Sequence, residues 1–321
     1  MTKHNLRGTW SRQIPRGLDH IVHAVHDLDA AGARYAQLGF TVGARNRHPW
    51  GTHNRIVQCP GVFIELLTVG EPELIPPGGP RTFSFGAYTR DVLARGEGLS
   101  MLALEGKGAA ADAQAFRAAG IGDFEVFDFA RDARRPDGTT VKVAFSLVFA
   151  ADRQAPDTAY FTSQNHYPEN FWNPAFQAHP NSVTTIAGVV LAAENPADHH
   201  VFLKAFSGVS DLKSTSSGIT IETPRGEIQV MDPSAYKAHF AVTPPDVSSG
   251  ARLAALRFAV RDMDALRSAL EQGGVASVGH MGKLVVPPQT AFGATLVFEP
   301  VAPIRWPDDD QTRAPKTFPT R

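Results

Sequence analysis

The chain has 321 residues, 43% of them hydrophobic, which is enough for about two cored domains. A net charge of -1 without any dense Lys/Arg block excludes a nucleic-acid surface, and the single cysteine, Cys59, excludes an intrachain disulfide and points to a reducing, cytoplasmic setting. No apolar segment reaches membrane or signal length, and residues 1–16 and 303–321 read as polar tails.

The first strand, His20 to Val25, alternates so that His20, Val22 and Ala24 share one face while Ile21, His23 and Val25 take the other. Asp27 or Asp29 caps a helix with Leu28, Ala31, Tyr35 and Leu38 on one stripe, and Gly39 ends it. Three strands are predicted next, Phe40 to Ala44, Arg55 to Gln58 and Val62 to Val69, the last two joined through Pro60-Gly61. Glu65 sits inside the apolar run Val62, Phe63, Ile64, Leu66, Leu67. Its carboxylate must therefore be neutral, paired with Arg55 or Arg45, or bound to a metal.

Sliding the sequence by about 81 positions lays Gly98-Leu99 on Gly17-Leu18, Phe116 on Tyr35 and Gly120-Ile121 on Gly39-Phe40, so a second unit follows the first. Its elements are a strand Leu99 to Leu104, a helix Ala109 to Ala119, and strands near Glu125 to Phe129, Val141 to Ala150 and Thr158 to Gln164, with Met101 in the place of His20. A third unit runs from the strand Val183 to Ala193 through a helix ending at Phe206 to a hairpin of Gly218 to Thr223 and Gly226 to Met231, with Gly188 at the histidine position. In the fourth, Val260-Arg261-Asp262-Met263-Asp264-Ala265 echoes Val25 to Ala30. There Ala255 replaces the histidine, while Glu299 stands as the counterpart of Glu65. The fold class is therefore α+β: four βαβββ modules paired into two domains, 17–165 and 182–302, joined by a linker at 166–181.

The motifs Leu18-Asp19-His20-Ile21, Asp27-Leu28-Asp29, Leu38-Gly39-Phe40, Gly51-Thr52-His53-Asn54 and Ile64-Glu65-Leu66 resemble the vicinal oxygen chelate superfamily, in its glyoxalase-like branch. The resemblance implies that paired modules make each domain an open mixed-sheet trough with helices outside, and that a divalent metal sits at the bottom of the trough, with His20 and Glu65 as two of its ligands. It also implies a small-molecule substrate that binds through two neighbouring oxygens.

Two ligands are too few for a catalytic site, and Met101 suits a hard cation poorly. Period two puts Thr162, Gln164 and His166 on one strand face, which makes His166 the third expected ligand, with Gln164 or His48 as alternatives. A set of two histidines and one carboxylate favours Fe2+ or Mn2+, with Zn2+ also compatible. His48, His53, Arg55 and Tyr167 are the candidates for proton transfer or anion contact, followed by His179, although His48 and His53 also read as loop-surface residues. His199 and His200 read as surface or cap residues, and Phe171, Trp172 and Phe176 as either pocket wall or interface core. The leading expectation is dioxygenase-type cleavage of an oxygenated aromatic or related acid. An oxygen-independent lyase or isomerase acting through an enolate is the alternative, and so is a non-catalytic binding protein. Four units complete the trough within one chain, so a homodimer is compatible but not required.

Overall fold

The protein was analysed as a computed structural model that describes residues 14–134 and 138–301; residues 1–13 and 302–321, most of the two expected tails, lie outside it. The first module holds β1 (Leu18–Ala24), α1 (Leu28–Gln37), β2 (Asn46–Arg47), β3 (Thr52–Cys59) and β4 (Val62–Val69). A helix α2 (Phe85–Leu93) precedes the second module: β5 (Gly98–Glu105), α3 (Ala109–Ala118), β6 (Phe127–Arg134), β7 (Thr140–Ala150) and β8 (Ala159–Asn165). After the short α4 (Pro168–Phe171) come β9 (Val183–Ala192), α5 (His200–Ser207), β10 (Lys213–Thr215), β11 (Gly218–Glu222), β12 (Glu227–Met231) and α6 (Pro233–Phe240). The last module is β13 (Arg252–Val260), α7 (Met263–Gln272), β14 (Val278–His280), β15 (Lys283–Val286) and β16 (Thr295–Pro300).

These strands make two eight-stranded mixed sheets, ordered β2-β3-β4-β1-β5-β8-β7-β6 and β10-β11-β12-β9-β13-β16-β15-β14, so the expected α+β architecture of paired modules is borne out. Within a module the first and last strands run parallel, as in β1 with β4, and the modules join through antiparallel first strands, β1 with β5 and β9 with β13. Period-two alternation sorts the side chains. Ile21 and Val25 enter a large core that also holds Tyr35 of α1, Phe116 of α3, Phe206 of α5 and Leu266 of α7, with strand residues of both sheets. Val22, Met101 and Phe161 instead face the concave side of the first sheet. The four module helices therefore share one core on the convex side of both sheets.

The same capping device starts the helices of the first and fourth modules. Asp27 accepts from the backbone of Asp29 and Ala30, and Asp262 from that of Asp264 and Ala265. The predicted strand at 40–44 does not form. The Phe40 ring turns into the shared core against Phe258, 5.2 Å away between centroids, and pairing begins only at Asn46. Sequence reading also missed α2 and α6. Phe85 packs with the concave residues of the first sheet, and Tyr236 and Phe240 fill the concave side of the second.

Several polar residues tie the halves together. Arg16, placed by sequence in the tail, is buried, with Nη2 donating to Asp112 Oδ1 at 2.6 Å and Nη1 to Phe206 O at 3.1 Å. His199, read as a surface residue, is buried and pairs with Asp152 at 2.7 Å. His23 lies between Tyr35 OH at 2.9 Å and the carbonyl of Phe292 at 2.8 Å; its Nε2–H donates to the carbonyl, so its Nδ1 accepts from the phenol. Burial lowers the His23 pKa from 6.5 to about 4. The unfolded chain takes up a proton near 6.5 while the folded one resists until about 4, so this site's stability is complete above the first value and lost as the pH falls toward the second. The loss is on the order of 3 kcal/mol. Urea unfolding at pH 7 and pH 4.5 should show a smaller acid loss in His23→Gln, by about 2–3 kcal/mol, than in the unaltered protein. Equal acid sensitivity of the two proteins would contradict this assignment.

Candidate active site

Parallel pairing of β1 with β4 sets His20 opposite Phe63 and Val22 opposite Glu65, so one step of the pleat brings His20 and Glu65 together on the concave face. His20 Nε2 stands 3.9 Å from Glu65 Oε2. The other ring nitrogen, Nδ1, donates to Asp19 Oδ1 at 2.5 Å, which leaves the Nε2 lone pair directed at the glutamate. The imidazole is stacked on Phe63 at 4.4 Å and meets Phe161 edge-on at 5.2 Å, so its orientation is held from three sides.

The second carboxylate oxygen is also held. Asn54 Nδ2 donates to Glu65 Oε1 at 2.5 Å, and the amide is oriented by Asn46 Nδ2, which donates to Asn54 Oδ1 at 3.0 Å. His48 Nε2 lies 3.4 Å from the same Asn54 nitrogen, its Nδ1 bonds Thr52 Oγ1 at 2.9 Å, and its ring stacks on Trp50 at 4.7 Å. Burial holds the His48 pKa below the ordinary histidine value; Glu65 opposes the shift, and Arg131 and His53 add to it. The imidazole is therefore neutral at neutral pH and can accept a proton.

These groups line a cavity with about 760 Å³ of space, its open mouth included, whose other walls are mostly aromatic: Trp50, Phe85, Phe127, Phe129, Phe145 and Phe171. The first sheet curls far enough for its two edge strands to meet through side chains, Arg131 of β6 donating to Asn46 of β2 at 3.3 Å. Asp19, behind His20, lines an adjoining polar cavity with Glu105 and Arg225.

Of the sequence-predicted site residues, the structure gathers His20, Glu65 and His48. It does not gather the others. His166 Nε2–H donates to Ser146 Oγ at 2.7 Å, and that hydroxyl donates to Asp128. Period two does group Thr162, Gln164 and His166, but on the convex side, where Gln164 accepts from Ala109 at the start of α3; Phe161 and Ser163 are the β8 residues that line the cavity. His53 is buried against Glu71 at 3.1 Å and Arg45 at 3.3 Å, while Arg55 pairs with Asp29 at 2.8 Å. Tyr167 lies under Lys142, and His179 staples the linker to Gln58 O and Thr41 N. Asp19, Asn54 and Arg131 were missed. For Asn54 the signal was available: the hairpin register sets Ile56 opposite Glu65, so Thr52, Asn54 and Ile56 share the glutamate's face and His53 and Arg55 cannot.

The pair supplies two of the donors a divalent cation needs and does not complete a site. A nitrogen and an oxygen 3.9 Å apart can both reach an ion through bonds of about 2.1 Å, and each ligand has a partner on its other atom. Among the described residues no third His, Cys, Asp or Glu joins them. By register the second module offers Met101 and Phe161 at the matching positions. In the second sheet the matching positions are Gly188 and Gln229, and Ala255 and Val297. Glu299, expected to match Glu65, stands two residues further along and forms ion pairs with Arg257 and Lys283.

A family model described as "Glyoxalase-like domain" matches residues 18–206, more than half of the chain. No curated protein matches the sequence. Among solved structures, a hypothetical protein from Staphylococcus aureus superposes with a TM-score of 0.62 at 13% identity, covering 89% of this chain and 100% of that one. A mutant of 4-hydroxymandelate synthase from Streptomyces coelicolor gives 0.53 at 11% identity, covering 88% and 92%. These likenesses are likenesses of fold. No helix among the described residues is long and apolar enough to cross a membrane.

Proposed function

The chain belongs to the glyoxalase-like domain family of the vicinal oxygen chelate superfamily, and from that premise we propose that it is a divalent-metal-dependent enzyme acting on a small oxygenated aromatic acid. The observation that carries this is the His20–Glu65 pair, backed by Asp19 and Asn54, at the polar end of an aromatic cavity. His20 Nε2 and Glu65 Oε2 would hold the ion, and one imidazole nitrogen with one carboxylate oxygen suits Fe2+, Mn2+ and Zn2+ alike. A metal held there would supply Lewis-acid activation of an oxygenated substrate and, if iron, redox chemistry.

The chain's own residues do the rest. Asp19 keeps the imidazole in the ligating tautomer, and Asn54 leaves Glu65 one free oxygen. The phenylalanine walls bind an aromatic ring by stacking and exclude water. His48, neutral and linked through Asn54 to Glu65, is the cavity's proton acceptor. We place dioxygenase-type chemistry ahead of an oxygen-independent lyase or isomerase route because the cavity is walled by aromatic rings that suit an aromatic substrate. One observation favours sequestration without catalysis: the second module offers Met101 and Phe161, so the described residues supply two donors rather than three.

Elemental analysis of protein purified without added metal tests the reading. Near-stoichiometric Fe, Mn or Zn in the unaltered protein, lost in a folded His20→Ala variant, is the expected result. Protein that takes up none of these metals on titration, yet binds an aromatic acid equally well in chelator, is a sequestering protein.

A further inference from the structure

We propose that Arg131 is the residue by which the cavity selects its ligands, binding the carboxylate of an aromatic acid whose ring lies between the phenylalanine walls. This rests on the aromatic-cavity reading above and adds to it the charge the ligand must carry. Phe127, Phe129 and Arg131 alternate along β6 and all line the cavity, so the guanidinium ends an otherwise apolar row. Arg45, Arg55, Arg81, Arg95 and Arg117 of the same half are each ion-paired. Arg131 is half-buried, yet among the described residues no carboxylate stands within ion-pair distance of it. Its hydrogen bonds among the described residues are two long ones, to Asn46 Oδ1 at 3.3 Å and to the Asp132 carbonyl at 3.4 Å. A planar fork with five donors is left with most of its capacity unused, in surroundings where an unpaired charge is costly.

A second donor in the same wall lacks an acceptor. The Trp50 indole N–H is buried without a hydrogen-bond partner among the described residues, and its ring packs on Phe127 and Phe129 at 5.1 and 4.8 Å. Glu65, the cavity's own anion, does not neutralise Arg131. Two amides stand between them, Asn54 on the carboxylate and Asn46 on the guanidinium. The cavity is thus polarised, with a donor pair for the ion at one end and an unspent cation at the other. A carboxylate meets the guanidinium fork bidentately, as a neutral amide or a phenol cannot.

Calorimetric titration with 3,4-dihydroxybenzoate and its neutral amide, each with and without EDTA, tests this. The unaltered protein should bind the acid about 10- to 100-fold more tightly than the amide. Arg131→Gln should remove that preference without weakening the amide, and Arg131→Lys should restore part of it. Equal binding of acid and amide by the unaltered protein, or binding of neither, overturns the assignment, as does an Arg131→Gln variant that keeps the preference. Selectivity that persists in EDTA while the protein proves unable to hold metal overturns the metalloenzyme reading alone.

Discussion

On the proposed metalloenzyme reading, a Glu65→Gln protein is expected to lose divalent-metal binding without losing its fold. The substitution keeps the shape and keeps an oxygen to accept from Asn54, now 2.5 Å from Glu65 Oε1, but it removes the negative charge and puts an amide nitrogen or a weaker oxygen toward His20. Loss of a partner behind a ligand already costs about 10–100-fold in metal affinity, so loss of a ligand's charge should cost more than about 100-fold. In chelator the variant should melt no lower than the unaltered protein, because a carboxylate buried in an apolar strand destabilises the metal-free fold. Mn2+ titration and thermal melts in EDTA check both halves. A variant that melts well below the unaltered protein in EDTA identifies Glu65 as a structural hydrogen-bond acceptor, and the catalytic reading falls with it.

Removing Arg257 should cost more stability than any other charge substitution in the second sheet. Its guanidinium donates to Glu227 and to Glu299 at 2.6 Å each, and Lys283 stands 3.3 Å from the far oxygen of Glu299. Arg257 lies on the concave face with Ala255, so this trough is closed by an internal cation as well as by Tyr236 and Phe240. Arg257→Leu leaves two carboxylates facing one lysine; breaking a buried pair in this way costs about 3–5 kcal/mol, and the partial exposure of Glu227 brings the expectation to about 3 kcal/mol. Adding Glu227→Gln and Glu299→Gln should recover most of the loss, since the penalty comes from uncompensated charge. Urea unfolding of the single and triple variants measures it. A triple variant no more stable than the single one would place the cost in lost packing instead.

Much of the site was legible in the one-dimensional pattern. Glu65 inside an apolar strand, His20 on an alternating one and the repeat that makes both strands neighbours are local facts. A pleat of period two carries them directly into three dimensions. Asn54 was equally legible, because the tight Pro60-Gly61 turn sets the parity of β3 against β4. The same rule grouped His166 with Thr162 and Gln164, but it could not say which side of the sheet that group faces; the answer depends on where α3 packs.

The sequence by itself determined the modules, their helix caps, the alternation of faces and the pairing of His20 with Glu65, since each depends on residues close in the chain or on a short register. Tertiary structure alone decided what closes the trough. Arg131 and Asn46 are 85 positions apart, on opposite edges of one sheet, and they meet only because accumulated strand twist curls those edges together. That curl also strands a cation in an aromatic wall, and no local pattern along β6 records it.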